Sequence, residues 1–168
     1  MTTQTIAVRK TTAADLGAVD ALFAKSYPKL LAADYAPSVL VTALPLLSRA
    51  QPQLLSSGRY YLAERDGEIL GAGGFSFHGP MGNFSEGTAH IRHVVTDASS
   101  TRQGIGRAIM SRVLKDATDQ GARRFDCIST LTAVRFYASL GFRVADDVVL
   151  NLRPGISFPA VQMRRFAG

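Results

Sequence analysis

The sequence predicts a single α/β domain built on a mixed sheet with helices on its faces. Three observations lead there. Strand-like and helix-like stretches alternate along the chain, an Asp66-Gly67 turn joins two strand patterns, and a glycine-containing turn leads from a long strand into an amphipathic helix. The 168 residues, 46% of them hydrophobic and 19% charged, suit one domain spanning 1–168 with one sizeable core.

Residues 5–10 alternate apolar and polar side chains and read as a first strand. Thr12-Ala13-Ala14-Asp15 then resembles a capping box, with Leu16, Val19, Leu22 and Phe23 at helical spacing behind it, so a helix is expected to about Lys25. From Tyr27 to Ser57 the chain is apolar but broken by Pro28, Pro37, Pro45 and Pro52, which predicts one or two short helices with irregular joints. Tyr60 to Glu64 and Ile69 to Phe77 are strands flanking Arg65-Asp66-Gly67-Glu68, where Asp-Gly supplies the positive φ angles of a tight hairpin. After a turn-rich loop from His78 to Ser85, Glu86 to Thr96 alternates as a long strand. A helix from Gly104 to about Gln120 carries Ile105, Ile109, Val113 and Leu114 on one face, with Gly121 as its C-cap. Strand Arg124 to Ser129, helix Thr132 to Leu140, strand Phe142 to Leu150 and strand Phe158 to Arg164 complete the order. The apolar stretch from Val148 to Met163 could finish its own sheet or join that of a second copy, which leaves a homodimer open.

No uninterrupted apolar run approaches the roughly 18 residues that span a bilayer, and the N-terminus does not read as an export signal. A cytoplasmic protein without a membrane partner is expected. The single cysteine, Cys127, sits inside a strand pattern and reads as a buried, inert thiol. The net charge of +6 is uneven: residues 1–83 hold 7 Lys/Arg against 6 Asp/Glu, and residues 84–168 hold 12 against 7. Any anion the protein prefers therefore belongs to the C-terminal half. Nucleic acid is not the expected anion, because Arg123-Arg124 and Arg164-Arg165 are the only basic clusters and no aromatic stripe accompanies them.

Thr101-Arg102-Gln103-Gly104-Ile105-Gly106-Arg107 joins the long strand to the amphipathic helix. Its glycines let the backbone approach a ligand, and the free N–H groups of the first helical turn face outward at the positive end of the helix dipole. Such a turn can cradle a pyrophosphate. It is not a P-loop, since no Gly-Lys-Ser/Thr follows, and it lacks the third glycine of a dinucleotide fingerprint.

A second segment runs Thr130-Leu131-Thr132-Ala133-Val134-Arg135-Phe136-Tyr137 and continues to Gly141-Phe142. Together the two segments and the order of elements resemble the GNAT superfamily of acetyl-CoA-dependent N-acetyltransferases, whose signatures are Gln/Arg-x-x-Gly-x-Gly/Ala and Asn-x-x-Ala-x-x-Phe/Leu-Tyr followed by Gly-Phe. Thr101 and Thr130 depart from that pattern, standing where Gln/Arg and Asn are usual. The resemblance implies a mostly antiparallel sheet with helices on both faces and acetyl-CoA wedged between the fourth and fifth strands. It implies that Arg102, Gln103, Gly104, Ile105, Gly106 and Arg107 hold the pyrophosphate, that Val94, Val95 and Thr96 bond the pantetheine through their main chain, and that Ala133 and Phe136 line the other wall.

The resemblance also places Tyr137 beside the thioester sulfur as the donor of a proton to the departing thiolate. The glutamate that many relatives carry on the fourth strand is replaced by Arg92. His90, His93, His78 and Glu86 remain as candidate bases, with His90 on the strand face of Arg92 and His93 expected on the opposite face by alternation. That alternation argues against a metal held by both histidines. The expected reaction is direct attack of a primary amine on the thioester, with a small molecule as the expected acceptor; protein N-termini or lysines, and a non-catalytic CoA-binding module, are the alternatives. A polycationic acceptor is disfavoured because only Asp34 and Glu86 lie in or near the loops expected to frame the acceptor.

Overall fold

The computed structural model describes residues 5–80, 82–100 and 103–167. Its elements run β1 (Ala7–Lys10), α1 (Leu16–Leu31), α2 (Pro37–Leu47), α3 (Pro52–Leu55), β2 (Tyr60–Arg65), β3 (Glu68–Ser76), β4 (Thr88–Thr96), α4 (Ile105–Asp119), β5 (Arg124–Thr130), α5 (Val134–Ser139), β6 (Arg143–Arg153) and β7 (Ile156–Phe166). The seven strands form one sheet in the order β1-β2-β3-β4-β5-β7-β6, and only β4 and β5 pair in parallel.

Local chemistry accounts for the boundaries. The Asp15 carboxylate accepts the Thr12 N–H at 2.8 Å and starts the first helix through a short 3-10 turn. Asp66 and Gly67 take φ of 57° and 74°, closing the β2–β3 hairpin as an Asp-Gly turn should.

The prolines act differently from expectation. Pro37 and Pro52 open helices at the position where a missing N–H costs nothing, whereas Pro28 and Pro45 lie inside α1 and α2. Both interior prolines are exposed, as are Ala24 and Val41, whose carbonyls lose their helical partner, so water takes over those acceptors. Helix α1 consequently runs to Leu31 rather than ending near Lys25.

Strands β6 and β7 are longer than expected and meet at Pro154-Gly155, with Gly155 at φ 80°. Strand β7 enters the sheet between β5 and β6, so the C-terminal segment completes the sheet of its own chain. Pro159 lies beyond the last β5–β7 pair, Thr130↔Ala160, where its absent N–H breaks no ladder.

Alternation sends successive residues of β3 to two separate cores. A Cβ added at Gly71 would stand 2.8 Å from Ile105 and Ile109 of α4, while Ala72 packs with Val19, Phe23 and Leu55 of α1 and α3. Helices α4 and α5 therefore cover one face, around Ile109, Val113, Phe125 and Tyr137. Helices α1 to α3 cover the other, continued toward β7 by Leu31, Tyr35, Leu40 and Phe158. Tyr35 fastens this second layer: its ring stacks on Phe158 at 4.4 Å, and its hydroxyl donates to the Pro159 carbonyl at 2.7 Å. Among the described residues no helix is long and apolar enough to cross a membrane.

Candidate active site

The parallel ladder between β4 and β5 contains only Thr88↔Arg124, Ala89↔Phe125 and His90↔Asp126. Beyond His90 the strands part, with β4 still held by β3 and β5 still held by β7. The β5-facing backbone edge of β4 from Ile91 onward is left without a strand partner, and a wedge opens between the two strands. Val94, Val95 and Thr96 all lie on that open stretch.

A bulge helps to open it. Ala72 pairs with Val95 and Gly74 with Arg92, so His93 and Val94 together face Gly73, and His93 takes φ 45°. The hydroxyl of Tyr60 donates to the His93 carbonyl at 2.7 Å and fixes the distortion. Glycine is required opposite: a Cβ at Gly73 would come within 2.8 Å of Val94, and one at Gly74 within 2.2 Å of the Arg59 carbonyl.

The bulge also corrects one expectation. His93 does not face away from Arg92, because the extra residue breaks the alternation. Its ring stacks on Phe23 of α1 at 5.9 Å and meets the Gln51 amide at 3.2 Å, and that same amide accepts from Arg92 at 3.0 Å. Burial pushes the His93 pKa down to about 4, so the ring is neutral in its packed setting.

On the donor side, Gly104 caps α4 at φ 78° with open space around it. Ile105 and Gly106 are buried beneath it. A Cβ at Gly106 would stand 3.0 Å from two ring atoms of Phe136 and 3.5 Å from Thr96, so α4 and α5 meet closely here and a side chain would have to push the Phe136 ring back. Gln103 accepts from Arg65 at 2.7 Å, and Arg107 reaches Ser139 at 3.4 Å. Thr101 and Arg102 lie outside the described residues. Ala133 and Phe136 pack half-buried against the α4 core. Thr130, in place of the usual asparagine, acts locally, since its hydroxyl accepts the Ala133 N–H at 3.3 Å and starts the turn that leads to α5.

Tyr137 is buried, with its ring edge-on to Phe136 at 5.2 Å and Phe142 at 5.4 Å. Its phenol and the Cys127 thiol, one residue beyond the last β4–β5 pair and hence at the head of the wedge, lie close enough to bear on each other's ionisation. Burial holds the phenol pKa well above its usual value, and it pushes the Cys127 thiol up to about 12. Tyr137 is thus a protonated donor, and Cys127 is the inert thiol its strand setting implied.

The opposite face of the wedge holds a cavity of about 290 Å³ lined by His90, Asp126, Ile128, Leu150 and Gln162, with Asn83 from the β3–β4 loop. His90 is 7% exposed, and its Nε2 has no hydrogen-bond partner. Burial lowers its pKa, opposed by Asp126 and reinforced by Arg92, Arg124 and His78, so the ring is neutral near pH 7. Asp126 is engaged elsewhere, gripped by Arg124 at 3.1 Å and Arg164 at 3.0 Å.

The other two base candidates fall outside this group. Glu86 is exposed just before β4, at the end of the strand remote from the wedge, and His78 sits in the loop with its ring 5.1 Å from Phe84. Sequence reasoning passed over Tyr60, Gln51, Ser76 and Asp126. Of these only Asp126 carried a signal, as a carboxylate flanked by Arg124 inside a strand.

Known structures share this frame. A GCN5-related N-acetyltransferase from Rhodopseudomonas palustris superposes with a TM-score of 0.78 at 19% identity over 99% of both chains. PaiA N-acetyltransferase from Thermoplasma acidophilum, solved in complex with coenzyme A, gives 0.73 at 15% identity over 97% of this chain and 99% of that one. YncA from Salmonella typhimurium, solved with its cofactor acetyl-CoA, gives 0.68 at 19% identity over 96% of this chain and 94% of that one. None of the curated protein sequences matches the chain. The model of the acetyltransferase (GNAT) family matches residues 24–142, well over half the chain, and the chain belongs to that family.

Proposed function

We propose that this acetyltransferase moves an acetyl group from acetyl-CoA to the primary amine of a small molecule, by direct attack in a ternary complex. The observation that carries the reading is the parting of β4 and β5 after His90↔Asp126, with Tyr137 in the core beneath α4 and α5 on one face and the His90 cavity on the other.

The residues present fit acetyl-CoA. The unpaired edge of β4 from Val94 to Thr96 offers main-chain groups to a pantetheine, as a sheet edge does to an added strand. The first turn of α4, from Gly104 to Arg107, directs N–H groups toward a pyrophosphate, with Gln103 and Arg102 before it. Ala133 and Phe136 wall the far side. Acetyl-CoA, once bound, supplies the thioester carbon that the amine attacks.

The chain's own groups then handle two protons. His90, neutral and with a free Nε2, accepts one from the incoming ammonium so that the nitrogen lone pair is available. Tyr137 gives its hydroxyl proton to the sulfur as the carbon–sulfur bond breaks, and the second proton shed by the newly acylated nitrogen restores the phenol, so neither a free thiolate nor a tyrosinate remains in a poorly solvated setting. No side chain forms a covalent intermediate.

A cavity of about 290 Å³ has room for a metabolite-sized amine. Such an enzyme works in the cytoplasm, where acetyl-CoA is available. The exposed edge strand β6, with Val144 and Val149 outward, is where a second copy would dock in a homodimer. Thiol release from acetyl-CoA, measured against amines, amino acids, polyamines and peptides, tests the reading. Release with a small amine supports it; release only with peptides makes the acceptor a protein, and none with any amine leaves a CoA-binding module.

A further inference from the structure

Arg92 has no role in the proton transfers, yet it lies beside the group that performs them. It shares a strand face with His90, about 7 Å along β4. Its Nη1 donates to Ser76 Oγ at 3.0 Å and its Nη2 to Gln51 Oε1 at 3.0 Å. Ser76 is the residue paired across from His90, so the guanidinium is held beside His90 on its β3 side. Both partners are neutral, and among the described residues no carboxylate pairs with Arg92.

A half-buried guanidinium without a counter-ion is costly unless something else supplies the charge. Burial lowers the Arg92 pKa, which reports the same loss of solvation. The surroundings do not supply it. The guanidiniums of Arg92 and Arg124 bear on His90 against the single carboxylate of Asp126, which is already shared by Arg124 and Arg164. The remaining wall, with Ile91, Ile128, Val148 and Leu150, is apolar. The cavity is therefore greasy, with the Asp126 charge on its wall already taken up by Arg124 and Arg164, and the cation without a carboxylate partner lies beside His90 at Arg92.

We infer that the acceptor is an amino acid, whose carboxylate pairs with Arg92 while its amine is directed at His90 and its apolar body lies against Ile128 and Leu150. The two donated bonds to Ser76 and Gln51 hold the guanidinium in one orientation and leave three of its five N–H groups for a carboxylate. Ser76 and Gln51 are positioning residues in this arrangement. The inference rests on the acetyltransfer proposed above and names the class of its acceptor.

Thiol release is measured with matched pairs that differ only in charge, such as leucine and leucinamide, extended to β- and ω-amino acids and their amides. The expected result is a carboxylate preferred over its amide by roughly 10- to 100-fold in kcat/KM, the order of a charge-assisted pair in a partly dry site. In Arg92→Gln the ratio of acid to amide collapses toward unity, and Arg92→Lys retains part of it. With CoA present, the preferred amino acid also raises the melting temperature of the parent more than its amide does.

A merely structural Arg92 would lower stability and slow both partners of each pair alike, leaving the ratio intact; that result overturns the inference. Amides that equal or exceed their acids throughout in the parent enzyme overturn it too, whether or not any variant folds. No release from any amine removes the acetyltransfer reading and this one with it, whereas release from amides and simple amines alone removes only this one.

Discussion

Replacing Tyr137 by phenylalanine deletes one hydroxyl and little else. The ring keeps its edge-on contacts with Phe136 and Phe142 at 5.2 and 5.4 Å. The Cys127 thiol beside the hydroxyl is a weak donor and acceptor, so the change in folding free energy should stay within about 1 kcal/mol. Turnover should respond far more. If the phenol protonates the departing sulfur, kcat falls by roughly 10- to 10⁴-fold while the KM for acetyl-CoA moves only a few-fold, because the interaction is made mainly in the transition state. Steady-state kinetics on an accepted amine, a single-turnover measurement to expose any slow product release, and a melting curve for each variant provide the readouts. Cys127→Ala serves as the control: the thiol is held protonated by burial, so removing it should leave turnover within a few-fold of the parent. Turnover of Tyr137→Phe within about two-fold of the parent in the single-turnover experiment would refute the role given to the hydroxyl.

CoA or acetyl-CoA at about 100 times its Kd should add roughly 2.7 kcal/mol of stability, read as a rise of several degrees in melting temperature. Gly106→Val should lose both stability and CoA affinity, since its side chain must displace Phe136 from 3.0 Å. Gly104→Ala should lose about 1–2 kcal/mol through backbone strain at φ 78° alone; denaturant titrations with and without CoA separate the two. Stability should also fall in acid. The His93 pKa is depressed to about 4 in the fold, so below pH 6.5 the unfolded chain binds a proton that the folded one refuses. Up to about 3 kcal/mol is lost as pH drops from 6.5 to 4, and His93→Gln should flatten that part of a urea-midpoint profile. A second loss follows below pH 3.8 as Asp97, held near 2 by hydrogen bonds from Ser99 and the ion pair with Lys25, takes up its proton.

What could be read from the sequence was what local physics decides. The Asp66-Gly67 hairpin, the α4 helix with its apolar face and the Thr12–Asp15 start each depend on residues within a few positions of one another, and each formed where the pattern placed it. The extent of α1 and the length of β6 and β7 escaped because they depend on tertiary context. Pro28 is tolerated since the carbonyl it orphans meets water, and Pro159 is tolerated since β5 ends before it. A proline counts as a breaker only when the bond it removes would have been buried, and burial is not a local property.

The site divides along the same line, and the His90–Arg92–His93 stretch shows why. Alternation is a sound guide for His90 and Arg92, which share a face and are both next to Ser76. It fails at His93 because Gly73 and Gly74, some twenty residues earlier, allow the bulge that Tyr60 then fastens through the His93 carbonyl. The glycines were visible in the sequence as a weak point in a strand pattern, but their partner in the neighbouring strand was not. Arg92 likewise lies 41 residues from Gln51 and 16 from Ser76, the two neutral groups that hold its guanidinium. In the sequence, Arg92 was noticed for the glutamate it replaced and so counted as a missing base. In the fold it is a cation beside His90 whose bonded partners are both neutral, which turns an absence in the catalytic inventory into a proposal about the acceptor.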